Sequence, residues 1–319
     1  MTAPLTPSRS ITTEHLAELL FLGAVWGAAF LSLRIAAPEV GAVWAAEIRI
    51  AIGAAILLAV FGRRAWPVLR ANPMRFAVVG ATFSAIPFTL IAIASLTLPV
   101  GMSAIINATT PLFTAALAVV WLHDRLRPRM IIGMLTGITA VVVLVGWAPL
   151  ELTPATVLAA LALLGSASSY AFAGTFVKRA LPGVGGAEIA TGQLTAGALL
   201  LLPFAIASGA PRVPAPDGLI ALVVVGVLST AIPWPVYFRL LRTTTPTVAS
   251  TVTFVVPAFA ITWGAIVLGE PVGAELLVGF GLIIVSLVLV LGLKVRLPFR
   301  AIETRLIGVV NPRWEPHTP

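Results

Sequence analysis

The chain has 319 residues, of which 59% are apolar and only 10% charged, with a formal charge of +8 and no cysteine. A soluble domain carries about 25% charged residues, so a water-facing surface of this size is excluded and the solvent around most of the chain is lipid. The missing cysteines exclude disulfides, thiolate metal sites and cysteine nucleophiles, and the basic residues lie between apolar stretches, which argues against a nucleic-acid partner.

A helix needs roughly 20 apolar residues to cross about 30 Å of hydrocarbon. Ten stretches meet this requirement: 16–36, 43–61, 76–96, 100–121, 129–147, 155–177, 187–208, 218–240, 247–268 and 273–293. Residues 1–15 form a polar segment without the pattern of a cleavable signal, and 294–319 a basic tail. The first span holds Trp26, Phe30 and Arg34, and the second Glu47 and Arg49. Pro87 interrupts the third; Asn107 and Pro111 lie in the fourth; the fifth carries Gly133 and Gly137. Tyr170 lies in the sixth span and Gln193 in the seventh, while Pro233, Trp234, Pro235 and Tyr237 cluster in the eighth. Pro257 and Trp263 lie in the ninth, and Gly279 and Gly281 in the tenth. Trp44, Trp121 and Trp147 fall at span ends, where interfacial aromatics belong.

With the N-terminus in the cytoplasm, seventeen of the twenty basic residues fall on the cytoplasmic side, Arg212 alone on the other, and Arg34 and Arg49 within spans. This asymmetry matches the positive-inside rule, and an even number of spans returns the C-terminus to the cytoplasm. The two halves also repeat. Val78-Val79-Gly80 recurs as Val224-Val225-Gly226, Ala85-Ile86-Pro87 as Ala231-Ile232-Pro233, and Pro111-Leu112-Phe113 as Pro257-Ala258-Phe259, each at a separation of 146 residues. Arg49 and Gly53 pair with Gln193 and Gly197 at 144. Five spans in each half, 16–147 and 153–293, put the second half into the membrane upside down relative to the first. Such inverted repeats build secondary transporters whose substrate site lies near the midplane.

Trp26-Gly27 with Phe30, Arg49, Pro111-Leu112-Phe113, Leu122-His123-Asp124-Arg125-Leu126, Pro257-Ala258-Phe259 and Leu268-Gly269-Glu270-Pro271 carry a resemblance. Together they resemble the EamA-type branch of the drug/metabolite transporter superfamily over nearly the whole chain. The departures are His123-Asp124, where the family often has Gly-Glu, and Ser168-Ser169, where it has Trp-Gly. The resemblance implies a ten-helix carrier with two repeats around a central cavity, and no cofactor. It implies a small-molecule substrate such as an amino acid or another metabolite, a sugar, a nucleoside or a drug. Spans five and ten are then peripheral supports, and their glycines suit close contact within the chain or in a homodimer.

An ionisable group inside a span is costly and therefore a functional candidate. Arg34 and Glu47 lie at similar depth on adjacent spans, so a structural ion pair is the plain expectation and proton coupling through Glu47 the sharper one. Arg49 is about six residues in, roughly 9 Å at 1.5 Å per residue. It either binds an anionic group through its planar fork or anchors helix carbonyls, with Asn107 at matching depth. Trp26, Tyr170, Trp234, Tyr237 and Trp263 are internal rings whose polar tips need partners, so they either line the cavity or fill the core. Pro87, Pro111, Pro233 and Pro257 act as hinges or fixed kinks. Asp124 and Glu270 sit before a helix, where a carboxylate offsets the dipole. No G-x-x-x-x-G-K-S/T loop is present, which excludes ATP hydrolysis in this chain; with Glu47 tied to Arg34, facilitated diffusion down a gradient is the default. Without cysteine, in-span histidine or paired in-span carboxylates, an intramembrane enzyme is disfavoured. The orientation is open to a direct check: a fluorescent protein fused after Pro319 should fluoresce, while alkaline phosphatase inserted beside Arg212 should be active.

Overall fold

In a computed structural model, residues 13–122, 128–147, 151, 153–243 and 252–291 are described. His123, Asp124 and most of the two terminal segments lie outside them. The regular elements are all helical among these residues: α1 (Thr13–Val40), α2 (Ala42–Ala71), α3 (Pro73–Gly80), α4 (Ile86–Ala94), α5 (Val100–Asn107), α6 (Thr110–Leu122), α7 (Pro128–Trp147), α8 (Pro154–Ala180), α9 (Gly186–Ala207), α10 (Pro216–Val223), α11 (Pro233–Thr243), α12 (Val252–Leu268) and α13 (Ala274–Leu291). Among the described residues seven helical stretches are long and apolar enough to cross a bilayer, and three shorter apolar helices accompany them: 128–144, 255–268 and 274–290. Leu158, Leu161, Leu199, Phe204, Ile138 and Ile266 point outward, which only lipid tolerates over so broad a belt.

Two π-helical turns, Ala81–Ala85 and Val224–Ala231, join α3 to α4 and α10 to α11. Each runs into a proline, Pro87 or Pro233. Proline offers no N–H and crowds the preceding turn, and the wider winding absorbs the mismatch. Pro111 is the second residue of α6, after a break in which Thr109 and Thr110 donate to the carbonyls of Ile106 (2.7 Å) and Asn107 (2.8 Å). Pro257, by contrast, lies inside the unbroken α12. The expectation that it interrupts its span as Pro111 does is therefore corrected: the hydroxyls at the α5–α6 break take carbonyls there, whereas α12 runs through its proline as one helix.

The halves meet through reciprocal close contacts. A methyl group on Gly53 would lie 2.8 Å from Thr230 Cγ2 and 3.0 Å from Leu194 Cδ1. On Gly197, the repeat counterpart of Gly53, it would lie 2.9 Å from Ser84 Cβ and 3.6 Å from Ile50 Cγ2. Gly80 faces the backbone of Ala196 and Gly197, and its counterpart Gly226 faces Ile52. α1 packs on α12, where Gly23 and Gly27 face Val255, Phe259 and Ala260. α7 and α13 pack on each other through Gly133, Gly137 and Gly279, and Ser286 donates to the Gly133 carbonyl at 2.6 Å. The glycine faces of spans five and ten thus meet within one chain.

Polar links collect at the two ends. At one end the Ala215 N–H donates to Glu39 (2.8 Å) and Trp44 Nε1 to the Gly209 carbonyl (2.7 Å). At the other, Arg239 pairs with Glu14 and, at 3.2 Å, with Glu18. A side chain at Gly80 has backbone on its other side, 2.6 Å away, so Gly80→Val should cost about 1–3 kcal/mol of stability. Gly281 faces open space, and Gly281→Ala should leave the thermal midpoint unchanged or raised, as a melting curve in detergent would show.

Candidate functional site

Arg49 is 4% exposed, about two turns into α2. Its Nε donates to Thr230 Oγ1 at 2.8 Å, across the boundary between the halves. The Thr230 hydroxyl in turn donates to the Val225 carbonyl at 2.6 Å, inside the π-helical turn. The guanidinium carbon lies 3.6 Å from the centre of the Phe88 ring. No carboxylate pairs with Arg49 among the described residues. A buried cation held by a ring face and one hydroxyl retains donors for an anion, and desolvation strengthens whatever reaches it.

From Phe88 a run of rings crosses the protein. Phe88 lies 6.4 Å from Tyr170, Tyr170 5.7 Å from Phe83, and Phe83 5.1 Å from Trp234. Trp234 lies 5.7 Å from Trp26 and 6.0 Å from Tyr237, and Trp26 5.4 Å from Tyr237. The rings come from α1, α8, α11, α4 and the first π-helical turn, so both halves contribute. Trp26, Tyr170, Trp234 and Tyr237 are thus brought together with Arg49. Phe83 and Phe88 were missed by sequence reasoning. The repeat register contains a signal for one of them, since Phe88 follows Pro87 as Trp234 follows Pro233.

Other expected residues lie elsewhere. Trp263 stacks on Phe259 at 6.1 Å and donates from Nε1 to the Ala24 carbonyl at 3.1 Å, tying α12 to α1. Phe30 is buried in the main core. Asn107 Oδ1 accepts from Ser166 at 3.1 Å, joining α5 to α8. Gln193 is fully buried, and neither of its amide atoms forms a hydrogen bond; the same holds for the hydroxyl of Ser84. In the repeat register Gln193 of the second half and Ser84 of the first are the counterparts of Arg49 and Thr230, and no hydrogen bond joins them.

Arg34 does not pair with Glu47. Its Nη1 donates to the Ser95 carbonyl at 2.7 Å, and its Nε lies 4.0 Å from Glu270. The reason is packing: α1 lies on α12 and α2 on α9, so the two helices that leave Gly41 are committed to different neighbours. Glu47 is buried with Oε2 making no hydrogen bond. Glu270 does not cap its own following helix. Its carboxylate accepts from the Val100 N–H at 2.9 and 3.2 Å, at the start of α5 in the other half. Gly269, at φ +66°, turns the chain to bring it there. Burial pushes this carboxyl up from the ordinary range, against the downward pull of the Val100 N–H and Arg34.

The profile of the EamA-like transporter family matches residues 16–146 and 157–292. The chain belongs to the EamA-like transporter family. It is 26% identical over 275 residues to YedA of Escherichia coli K12, named an uncharacterized inner membrane transporter, covering 85% of this chain and 89% of that one. It is 28% identical over 198 residues to the uncharacterized transporter YvbV of Bacillus subtilis, covering 60% and 63%. A protein crystal structure shares the fold with a TM-score of 0.59 at 18% identity, covering 86% of this chain and 96% of that one. This EamA-family chain is accordingly a multi-pass protein of the inner membrane.

The contact between Arg49 and Phe88 can be isolated by a double-mutant cycle. Arg49→Gln, Phe88→Leu and the double variant should give a coupling of about 1–2 kcal/mol in thermal or denaturant unfolding, as a desolvated cation over a ring does.

Proposed function

We propose that this EamA-family protein is a secondary carrier for a small amphoteric or anionic metabolite, with amino acids as the first candidates and export as the direction. Two inverted five-helix halves with both termini cytoplasmic expose the midplane alternately to either side. The observation that carries this reading is Arg49: a buried cation with no carboxylate partner among the described residues, at the end of a run of rings supplied by both halves. A substrate carboxylate would occupy the donors that Thr230 leaves, and the apolar part of the substrate would lie along Phe83, Tyr170 and Trp234.

The positive-inside orientation places Glu39, Arg34 and Glu270 at the periplasmic end. There the halves are tied by Glu39 to Ala215 and by Glu270 to Val100, and at the cytoplasmic end by Arg239 to Glu14 and Glu18, so that alternating access would release one set while the other holds. The π-helical turns at Pro87 and Pro233 are the places where the halves would flex. Glu47 is not neutralised by Arg34, which keeps a titratable acid near the site.

Counterflow in proteoliposomes preloaded with an amino-acid mixture tests the reading. Native protein should show saturable exchange, Arg49→Ala should lose it by at least about a hundredfold, and Arg49→Lys should recover little, since a point charge does not reproduce the planar fork. Exchange that survives Arg49→Ala would give Arg49 a purely structural role. Exchange of lipophilic cations in place of amino acids would favour drug efflux, and flux that never saturates would favour a channel.

A further inference from the structure

We propose that the cleft between the start of α3 and the end of α8 binds the head group of an anionic phospholipid. The cleft has a volume of about 440 Å³ and is lined by Arg75, Phe176, Arg179 and Ala180. Arg75 lies in the first turn of α3 and Arg179 in the last turn of α8. Two guanidinium groups, one from each half, therefore meet over one space. Neither forms an ion pair among the described residues, and no carboxylate lines the cleft. Arg75 Nη1 donates to Asn72 Oδ1 at 3.0 Å, which orients the fork and leaves its other donors for an anion. A planar fork of this kind takes phosphate oxygens two at a time.

The outward-facing positions decide between a lipid and a solute. On α8, Leu158 and Leu161 are exposed, and one face then continues through Phe172 and Phe176 to exposed Arg179. On the facing span, exposed Arg75 is followed by exposed Ile86 and Ile93. The two arginines thus cap the bilayer-facing surface of their helices. Phe172 and Phe176 are stacked, 5.9 Å apart and 13° from parallel, which gives an acyl chain a flat apolar shoulder. Basic pockets between spans at the cytoplasmic boundary suit anionic head groups. The leaflet follows from the orientation proposed above; the lipid chemistry follows from the cleft alone.

The test uses the purified full chain in detergent, titrated separately with phosphatidylglycerol and phosphatidylcholine, with bound lipid counted by native mass spectrometry. Phosphatidylglycerol should bind the native chain and bind the Arg75→Gln/Arg179→Gln variant about thirtyfold more weakly, the loss expected for two interfacial cations. Phosphatidylcholine should bind both weakly and equally. Arg75→Lys/Arg179→Lys should bind phosphatidylglycerol with an intermediate loss, since the charges stay and the bidentate forks go, which preserves the comparison if the glutamine variant does not fold. Equal retention of phosphatidylglycerol by the native and glutamine proteins would overturn the proposal. Its displacement by millimolar soluble amino acids or inorganic phosphate would do so too, and would make the cleft a port for solutes. Because the readout involves no transport, failure here leaves the carrier reading standing, and failure of counterflow leaves the lipid site standing.

Discussion

Hydrocarbon gives two apolar helices no reason to touch, because lipid tails are as apolar as leucine. The halves of this protein are held instead by backbones that approach closely and by a few polar links. Gly53 against Thr230, Gly197 against Ser84 and Gly80 against the backbone of Gly197 set that approach. It is close enough for Arg49 of one half to reach a hydroxyl of the other. A larger residue at any of these glycines separates the halves and with them the parts of the site. The same contacts place the π-helical turns at the crossing, so that Phe83, Ser84 and Thr230 lie inside rather than facing lipid.

The site built there is electrically lopsided. Arg49 meets Thr230 and the face of Phe88, while its counterpart Gln193 meets neither a donor nor an acceptor. One fixed cation in a dry interior is suited to an anion that comes and goes; two would hold it too firmly or repel each other. The rings beside it would offer a substrate apolar surface without demanding one shape. The ends carry the remaining polar work. Glu270 caps a helix of the opposite half and neighbours Arg34, and Glu39 reaches the chain ahead of α10, so closure at that end rests on few contacts that can be broken together.

Much of this was legible in the sequence. Apolar run length disclosed a helical, multi-pass membrane protein, and the spacing of 146 residues disclosed the register in which Gly80 and Gly226, or Gly133 and Gly279, make equivalent contacts. Arg49, Trp26, Tyr170, Trp234 and Tyr237 stood out because rings and charges inside spans need partners. What stayed hidden depended on which helix each residue faces. Equal depth suggested that Arg34 and Glu47 pair, but α1 and α2 are committed to different neighbours. Trp263 and Asn107 had the right depth and point into helix contacts. Phe83 and Phe88 went unremarked, because a phenylalanine in an apolar span shows nothing of which way its ring faces. Glu270 read as the cap of its own following helix, because a sequence shows the nearer helix start and not the one across the interface.

The account stands or falls on whether the two halves exchange closure at their ends. The natural absence of cysteine makes the direct measurement simple: counterflow by the Glu39→Cys/Ala215→Cys protein before and after joining the pair with a short, reducible bis-thiol crosslinker. The account predicts exchange before crosslinking, none while the end is locked, and recovery after reduction. Undiminished exchange through the locked protein would contradict it, because solute would then be crossing without the halves moving apart.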